Sequence, residues 1–268
     1  MRLLASVVAV VAALMILSVA PARADDWQDE LSPATPGSFS PPRPMVATYR
    51  CGWSGLSAAT LDVTFSRPKN DVLQLEARGV TTGLVRALWR LDATHSARAH
   101  ASMLMPIDVR QLEIYRNQTI HTELDFDEQG VSRLREVKPA DKPARRKRFE
   151  YPNLYDLHSA LLYVRSRKLD PNETINLVVY PATAPYLATV RVIGREKIKI
   201  RAGSYPAIKL DLKLQKITDD FKLEPHGKFR HATGWISDDN DRLLLKIQAE
   251  IFVGSVWTEL EHVKFTGR

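Results

Sequence analysis

The groups able to do chemistry in this 268-residue chain are thinly spread, and seven histidines are the first place to seek a metal site. His121 and Glu123 would share one face of a strand, and His95 and His100 stand near each other. Neither spacing is a known ligand set, His-Glu-x-x-His does not occur, and the single cysteine cannot supply a thiolate cluster. No metal and no cofactor is therefore implied. Nucleophilic chemistry is no better supported. Ser66-Arg67-Pro68-Lys69 formally matches Ser-x-x-Lys, a motif that works at the start of a helix with Ser-Asp-Asn and Lys-Thr-Gly elsewhere. Here it ends a strand pattern, Ser237-Asp238-Asp239-Asn240 is one residue too long, and Lys-Thr-Gly is missing. Gly-x-Ser-x-Gly, P-loop and dinucleotide-binding glycine patterns are absent, and Asp156 and His158 lie two apart on a helix, pointing to different sides. No catalytic residue is named.

Binding is better supplied than catalysis. Tyr49, Trp53, Trp89 and Trp235 are candidate ligand contacts. On a curved sheet such side chains either line a cavity for an apolar ligand or fill the core. The stretch Lys138 to Arg148 concentrates Lys142, Arg145, Arg146, Lys147 and Arg148 beside Pro139 and Pro143. It is a candidate contact with anionic surfaces such as phospholipid headgroups, or a loop kept in water by its charge. Without interleaved aromatics it does not suit nucleic acid. In Tyr49-Arg50-Cys51-Gly52-Trp53 a strand would put Tyr49, Cys51 and Trp53 on one face, the thiol packed between aromatics. One cysteine excludes an internal disulfide.

The elements that must position these residues begin with an address. Arg2, the apolar run Leu3 to Val19 and the small-x-small Ala22-Arg23-Ala24 read as an export signal cut after Ala24, so that the mature chain begins at Asp25; the alternative is an uncleaved membrane anchor, for which the run is short. Residues 25–44 carry Pro33, Pro36, Pro41, Pro42 and Pro44 among Ser, Thr and Gly, and are expected to be a flexible leader. Residues 45–268 are expected to form one antiparallel β domain. Ile208-Lys209-Leu210-Asp211-Leu212-Lys213-Leu214 alternates strictly, as do stretches near 198–201, 245–251 and 256–261; earlier strands are predicted near 59–65, 72–77, 112–116, 119–126 and 131–136. Two helices interrupt them. Leu157, Leu161 and Val164 recur at helical spacing with Asn153 as a cap, predicting a helix near 154–167; a shorter one, Gly83 to Leu91, puts Leu84, Leu88 and Leu91 on one stripe. The fold class is mainly β (α+β), a curved antiparallel sheet or half-open β-barrel wrapped around one long helix.

Four stretches are more distinctive than any catalytic motif: Tyr49 to Gly55, Thr81-Thr82-Gly83-Leu84 followed by Trp89, Tyr155-Asp156-Leu157-His158-Ser159-Ala160-Leu161, and Ala232 to Asp239. Together they resemble a family of exported bacterial proteins, domain of unknown function 3108. The resemblance implies a periplasmic or cell-envelope β protein, similar in architecture to the half-open barrels of lipoprotein carriers, and it brings no catalytic residues. The expected function is binding of a lipid, an acyl-bearing lipoprotein or another apolar ligand, with peripheral membrane contact and no nucleic acid. The alternatives are a structural module binding an envelope protein through a sheet edge or the leader, and a hydrolase of envelope polymers.

Overall fold

The computed structural model describes residues 27–140, 143–225, 229–251 and 254–266; the export signal lies outside them. Up to Leu31 the described chain is a short turn, in which the Glu30 and Leu31 amides donate to the Trp27 and Gln28 carbonyls. From Ser32 onward it is one unit.

That unit is a single antiparallel sheet. In chain order its strands are β1 (Met45–Trp53), β2 (Leu56–Lys69), β3 (Val72–Thr81), β4 (Leu91–His100), β5 (Pro106–Tyr115), β6 (Thr119–Asp127), β7 (Gly130–Lys138), β8 (Arg145–Glu150), β9 (Thr174–Val179), β10 (Tyr186–Ile200), β11 (Gly203–Ile217), β12 (Leu223–Pro225), β13 (Phe229–Ser237), β14 (Leu244–Ile251) and β15 (Ser255–Phe265). Helices α1 (Gly83–Leu88) and α2 (Leu157–Ser166) interrupt them. The sheet runs β8 to β1 in reverse chain order, then β15, β14, β13, β11, β10 and β9, with the short β12 beside β11. The first and last strands meet in the middle, which leaves β8 and β9 as its edges.

Alternation decides which face is inside. Leu210 of β11, Val63 and Phe65 of β2, Leu245 of β14, and Ala97 and Ala99 of β4 are buried, while the residues beside them are less so. The sheet curls far enough for its edges to approach. The Phe149 ring of β8 stacks on Tyr180 beyond β9, centroids 6.0 Å apart, and lies 6.3 Å from Phe221. Arg133 Nη1 and Gln111 Nε2 donate to the Thr183 and Pro181 carbonyls at 2.8 and 3.2 Å. No ladder joins β8 to β9, so the sheet stays open and side chains span the gap.

The expectation of one long helix is corrected. Helix α2 has ten residues. It starts at Asp156, whose carboxylate accepts from the His158 and Ser159 amides, while the Asp156 amide donates to Ser159 Oγ. Asn153, the expected cap, instead holds a left-handed turn at φ 54°. The expected stripe also differs, because Leu157 is exposed and Leu162, Tyr163 and Val164 are the buried apolar residues. Leu162 joins the cluster of Tyr49, Phe65 and Leu260; Tyr163 and Val164 join that of Ile175, Val192 and Ile208. A helix buried on several sides has no single apolar stripe for the periodicity to show.

At the other end of α2 the Arg242 guanidinium donates to the Arg165 and Lys168 carbonyls at 2.7 and 3.0 Å and to the Arg167 carbonyl. Helix geometry leaves the Arg165 carbonyl unpaired, and the other two follow directly after the last helical residue. Phe39 lies against the same guanidinium, 3.4 Å from ring centroid to Cζ. Phe39 belongs to the leader, and the chain from Ser32 is held rather than loose. Ser32 exchanges bonds with Asn176, the Tyr163 hydroxyl donates to the Pro33 carbonyl, and the Gly37 and Phe39 amides donate to Ser166 Oγ and its carbonyl. A Cβ on Gly37 would lie 2.1 Å from the Ser166 carbonyl oxygen, so only glycine fits there. Proline composition suggests a free linker, but prolines also suit an extended strap.

Arg242→Met keeps most of the packing and strips three carbonyls of their donor. It should lower unfolding free energy by about 2–3 kcal/mol in urea titrations, with protease cleavage gained near Phe39 if the strap detaches with it.

Candidate functional site

Where the inward faces of β1, β2, β14 and β15 reach one end of the sheet, their side chains become small. Gly52, Ala58, Ala59, Thr81 and Ala249 leave room there, and a cleft of about 560 Å³ opens between them and α1. Its lining is mostly apolar and aromatic: Trp53, Val85, Trp89, Leu91, Ile247 and Trp257 complete the walls. This is a volume typical of small-ligand sites. Gly52 is required locally, since a Cβ there would sit 2.1 Å from the Trp257 ring and 2.4 Å from the Leu56 carbonyl oxygen. The β1–β2 turn, Ser54-Gly55, takes positive φ at both residues, as a tight hairpin needs, and carries Trp53 to the rim.

The four candidate aromatics divide. Trp53 and Trp89 line this cleft together. Tyr49 does not; it is buried in the core, its hydroxyl donates to the Leu244 carbonyl at 3.0 Å, and burial pushes its phenol up to about 12. Tyr49 and Trp53 keep one parity in β1, since the register shift beside Cys51 puts its extra residue, Ala58, in β2; Tyr49 lies deeper along the strand, in the packed core, and Trp53 at the strand end. Trp235 lies apart from the cleft, adjacent in β13 to the buried Ile236 and therefore on the opposite face. Its indole sits between the Lys209 and Lys246 ammonium groups, 5.7 and 5.6 Å from the centroid, and donates to Glu196 at 2.6 Å.

Ile247 and Ala249 were not singled out from the sequence. The alternation of Leu245, Ile247 and Ala249 puts them on one face, but only the strand order shows that this face meets Thr81 and Val85. Cys51 also lines the cleft as an unactivated thiol. Its sulfur accepts from Thr258 Oγ1 at 3.4 Å and burial pushes its pKa up.

The basic stretch forms edge strand β8 rather than a loop. Arg145 and Arg146 are exposed, Lys147 pairs with Asp219 at 3.4 Å and Arg148 with Asp127 at 2.9 Å. Lys142 lies outside the described residues. Cationic side chains on an edge strand repel a further strand.

Polar groups buried elsewhere do not assemble a reactive centre. His158 is buried against Phe65, ring centroids 5.9 Å apart, and neither ring nitrogen has a hydrogen-bond partner among the described residues. Burial pushes its pKa down to about 4, opposed by Asp156 and reinforced by His95. The Asp156 carboxylate is occupied in capping α2. Buried Arg165 is lowered to about 10, still cationic at neutral pH. Among the described residues no three His, Cys, Asp or Glu side chains are placed to hold a metal.

The family model described as Protein of unknown function (DUF3108) matches residues 48–261. The chain belongs to that family. Among solved structures, the β-barrel-like protein of domain of unknown function DUF1849 from Brucella abortus aligns over 84% of this chain and 99% of its own, at 8% identity and TM-score 0.55. That likeness concerns fold alone. A candidate exported protein with a YmcC-like fold from Bacteroides fragilis covers 85% of this chain and 99% of its own at 8% identity, with TM-score 0.36. No curated protein matches the chain.

In this DUF3108 member the distinctive stretches have structural work. Asp156 and Ser159 cap α2. Ser237 Oγ accepts from the Leu243 amide, and Asp239 accepts from the Ser237 hydroxyl and the Asp241 and Arg242 amides, folding the turn that aims Arg242. Thr81 Oγ1 accepts from the Leu91 amide and donates to its carbonyl, bracketing α1.

Histidine 158 makes a pH prediction. Its folded pKa lies near 4 against an ordinary 6.5. Between those values the unfolded chain binds the proton and the folded one does not, so stability is full above 6.5 and falls as pH drops toward 4, by at most roughly 1.4 kcal/mol per unit. Urea unfolding of His158→Leu at several pH values should show a shallower acid slope than the parent; identical slopes would assign the loss to other groups.

Proposed function

We propose that this chain is an exported, non-enzymatic protein of the cell envelope that holds an apolar ligand, such as a lipid acyl chain, in the cleft between α1 and strands β1, β2, β14 and β15. One observation carries the reading. The concave face is packed solid around Tyr49, Phe65 and Leu162, but at the α1 end its small side chains leave about 560 Å³ behind apolar walls. Apolar surface exposed in a concavity is costly to leave in water and is stabilised by an apolar guest. The tryptophans at the rim suit a ligand with a polar end, because each indole pairs a broad apolar face with one N–H.

The export signal supports the envelope location, since such a cleft meets lipids and lipid-bearing chains there. The scaffold reading through an exposed edge is less well supported. Edge β8 is cationic, and edge β9 is engaged along its length, by Ser32 at Asn176 and by Tyr155 in a parallel bridge to Val179.

Ala249→Phe places a ring in the cleft. It should weaken binding of a fluorescent fatty-acid probe by about tenfold or more, the scale of a few lost apolar contacts, with thermal unfolding retained. Trp89→Ala should weaken it less. Equal binding by the parent and Ala249→Phe would place the ligand elsewhere.

A further inference from the structure

The end of the sheet that bears the cleft also bears an unusual surface. Helix α1 buries none of its residues. Leu84 and Leu88 are 75% and 77% exposed, and Trp89, which follows, is 54% exposed. Across the mouth, the β1–β2 hairpin presents Leu56 at 62% and Trp53 at 43%. The Thr82 amide donates to the Ala58 carbonyl, which fixes α1 beside that hairpin, and Trp53, Val85 and Trp89 line one cleft. The exposed side chains thus form a continuous apolar rim. Contiguous apolar surface of this kind is uncommon on a protein that meets only water.

The charges beside the rim have one predominant sign. Arg86 and Arg90 share the single carboxylate of Asp92, at 2.7 and 3.1 Å. Arg116, in the β5–β6 turn, reaches under α1 and donates to the Ala87 carbonyl at 2.6 Å. Its bond goes to a neutral group, so its charge is not cancelled by that contact. Trp89 and Tyr115 lie 6.2 Å apart between these arginines. Exposed leucines, indole and phenol rings and guanidinium groups are the side chains that suit, in turn, the acyl chains, interface and anionic headgroups of a bilayer.

We propose that this end of the molecule docks onto an anionic lipid surface, with Leu84, Leu88 and Leu56 inserted among the acyl chains and Arg90 and Arg116 at the headgroups. The docking rests on the rim, and it deepens the ligand reading by turning the cleft mouth toward the source of an acyl chain. Neither Leu84 nor Leu88 lines the cleft, so the two properties can be separated by substitution.

The test is co-sedimentation of the exported chain with phosphatidylcholine vesicles, with and without phosphatidylglycerol, in parallel with the fatty-acid probe titration. The parent should sediment with the anionic vesicles and be released by salt. Leu84→Ser with Leu88→Ser should reduce partitioning by about tenfold or more while probe binding persists, and Arg90→Glu should reduce the preference for anionic vesicles. Ala249→Phe should do the reverse, losing the probe and keeping the vesicles; a parent that sediments with the vesicles but binds no probe would sink the ligand reading and leave docking intact. The docking proposal is overturned if the parent ignores the vesicles, or if the leucine substitutions leave partitioning unchanged. It is overturned equally if the parent sediments as a dimer that these substitutions dissociate, which would make the rim a self-association surface.

Discussion

A helix leaves roughly four amides and four carbonyls without partners at its ends, and burying α2 against the concave face of a sheet puts those groups where little water reaches. The structure depends on answering them. Asp156 and Ser159 take the first amides, and at the far end Arg242 takes the Arg165 carbonyl and two just past the helix while the Phe39 amide takes that of Ser166. The clamp sits near the negative end of the helix dipole, where a cation is favoured. It is also what holds the N-terminal strap, because Phe39 stacks on the guanidinium and Gly37 and Phe39 donate to Ser166 at the same helix end. Leader, helix and the β13–β14 turn therefore converge on one arginine.

With α2 fixed, the sheet has something to curl around at one end only. Leu162 and its neighbours fill the concavity from Tyr49 to Leu260, and a ten-residue helix does not reach further. Past it, the inward positions become glycine, alanine and threonine, and the interior stays open as the cleft. The sheet stops short of closing into a barrel because β8 and β9 meet through rings and long side chains rather than a ladder. Across β8 and β7, Arg145 faces Arg135 and Lys147 faces Arg133. Like charges opposed across a pair weaken it, so the Phe149 end of β8 contributes most of its anchoring.

The four distinctive stretches of the sequence belong to this same structural logic. Their polar residues cap a helix, brace a turn or bracket α1, and their glycines make space for a neighbouring ring or turn. None of these side chains is poised to react: Cys51 is held as a thiol and His158 as a neutral ring by burial. The proposed ligand binding rests on a shaped apolar surface, which short sequence motifs do not encode.

From the sequence alone the fold class is legible, because period-two alternation in stretches such as Ile208 to Leu214 reflects a purely local geometry. The strands it leaves hidden are instructive. In β4 the inward residues are Ala97 and Ala99, too small to stand out, and in β8 the charges of an edge strand mimic a loop. Half of the candidate site was legible as well: Trp53 and Trp89 belong to the cleft, whereas Tyr49 lies deeper along β1 in the packed core and Trp235 is on the other face by strand parity. The rest was decided only by tertiary structure. That Ala249, Thr81 and Trp257 share one space, that Arg242 completes a helix more than seventy residues away, and that Leu84 and Leu88 face outward instead of inward all depend on which distant strands become neighbours. Local periodicity shows that a face is apolar; what that face meets is set by the strand order.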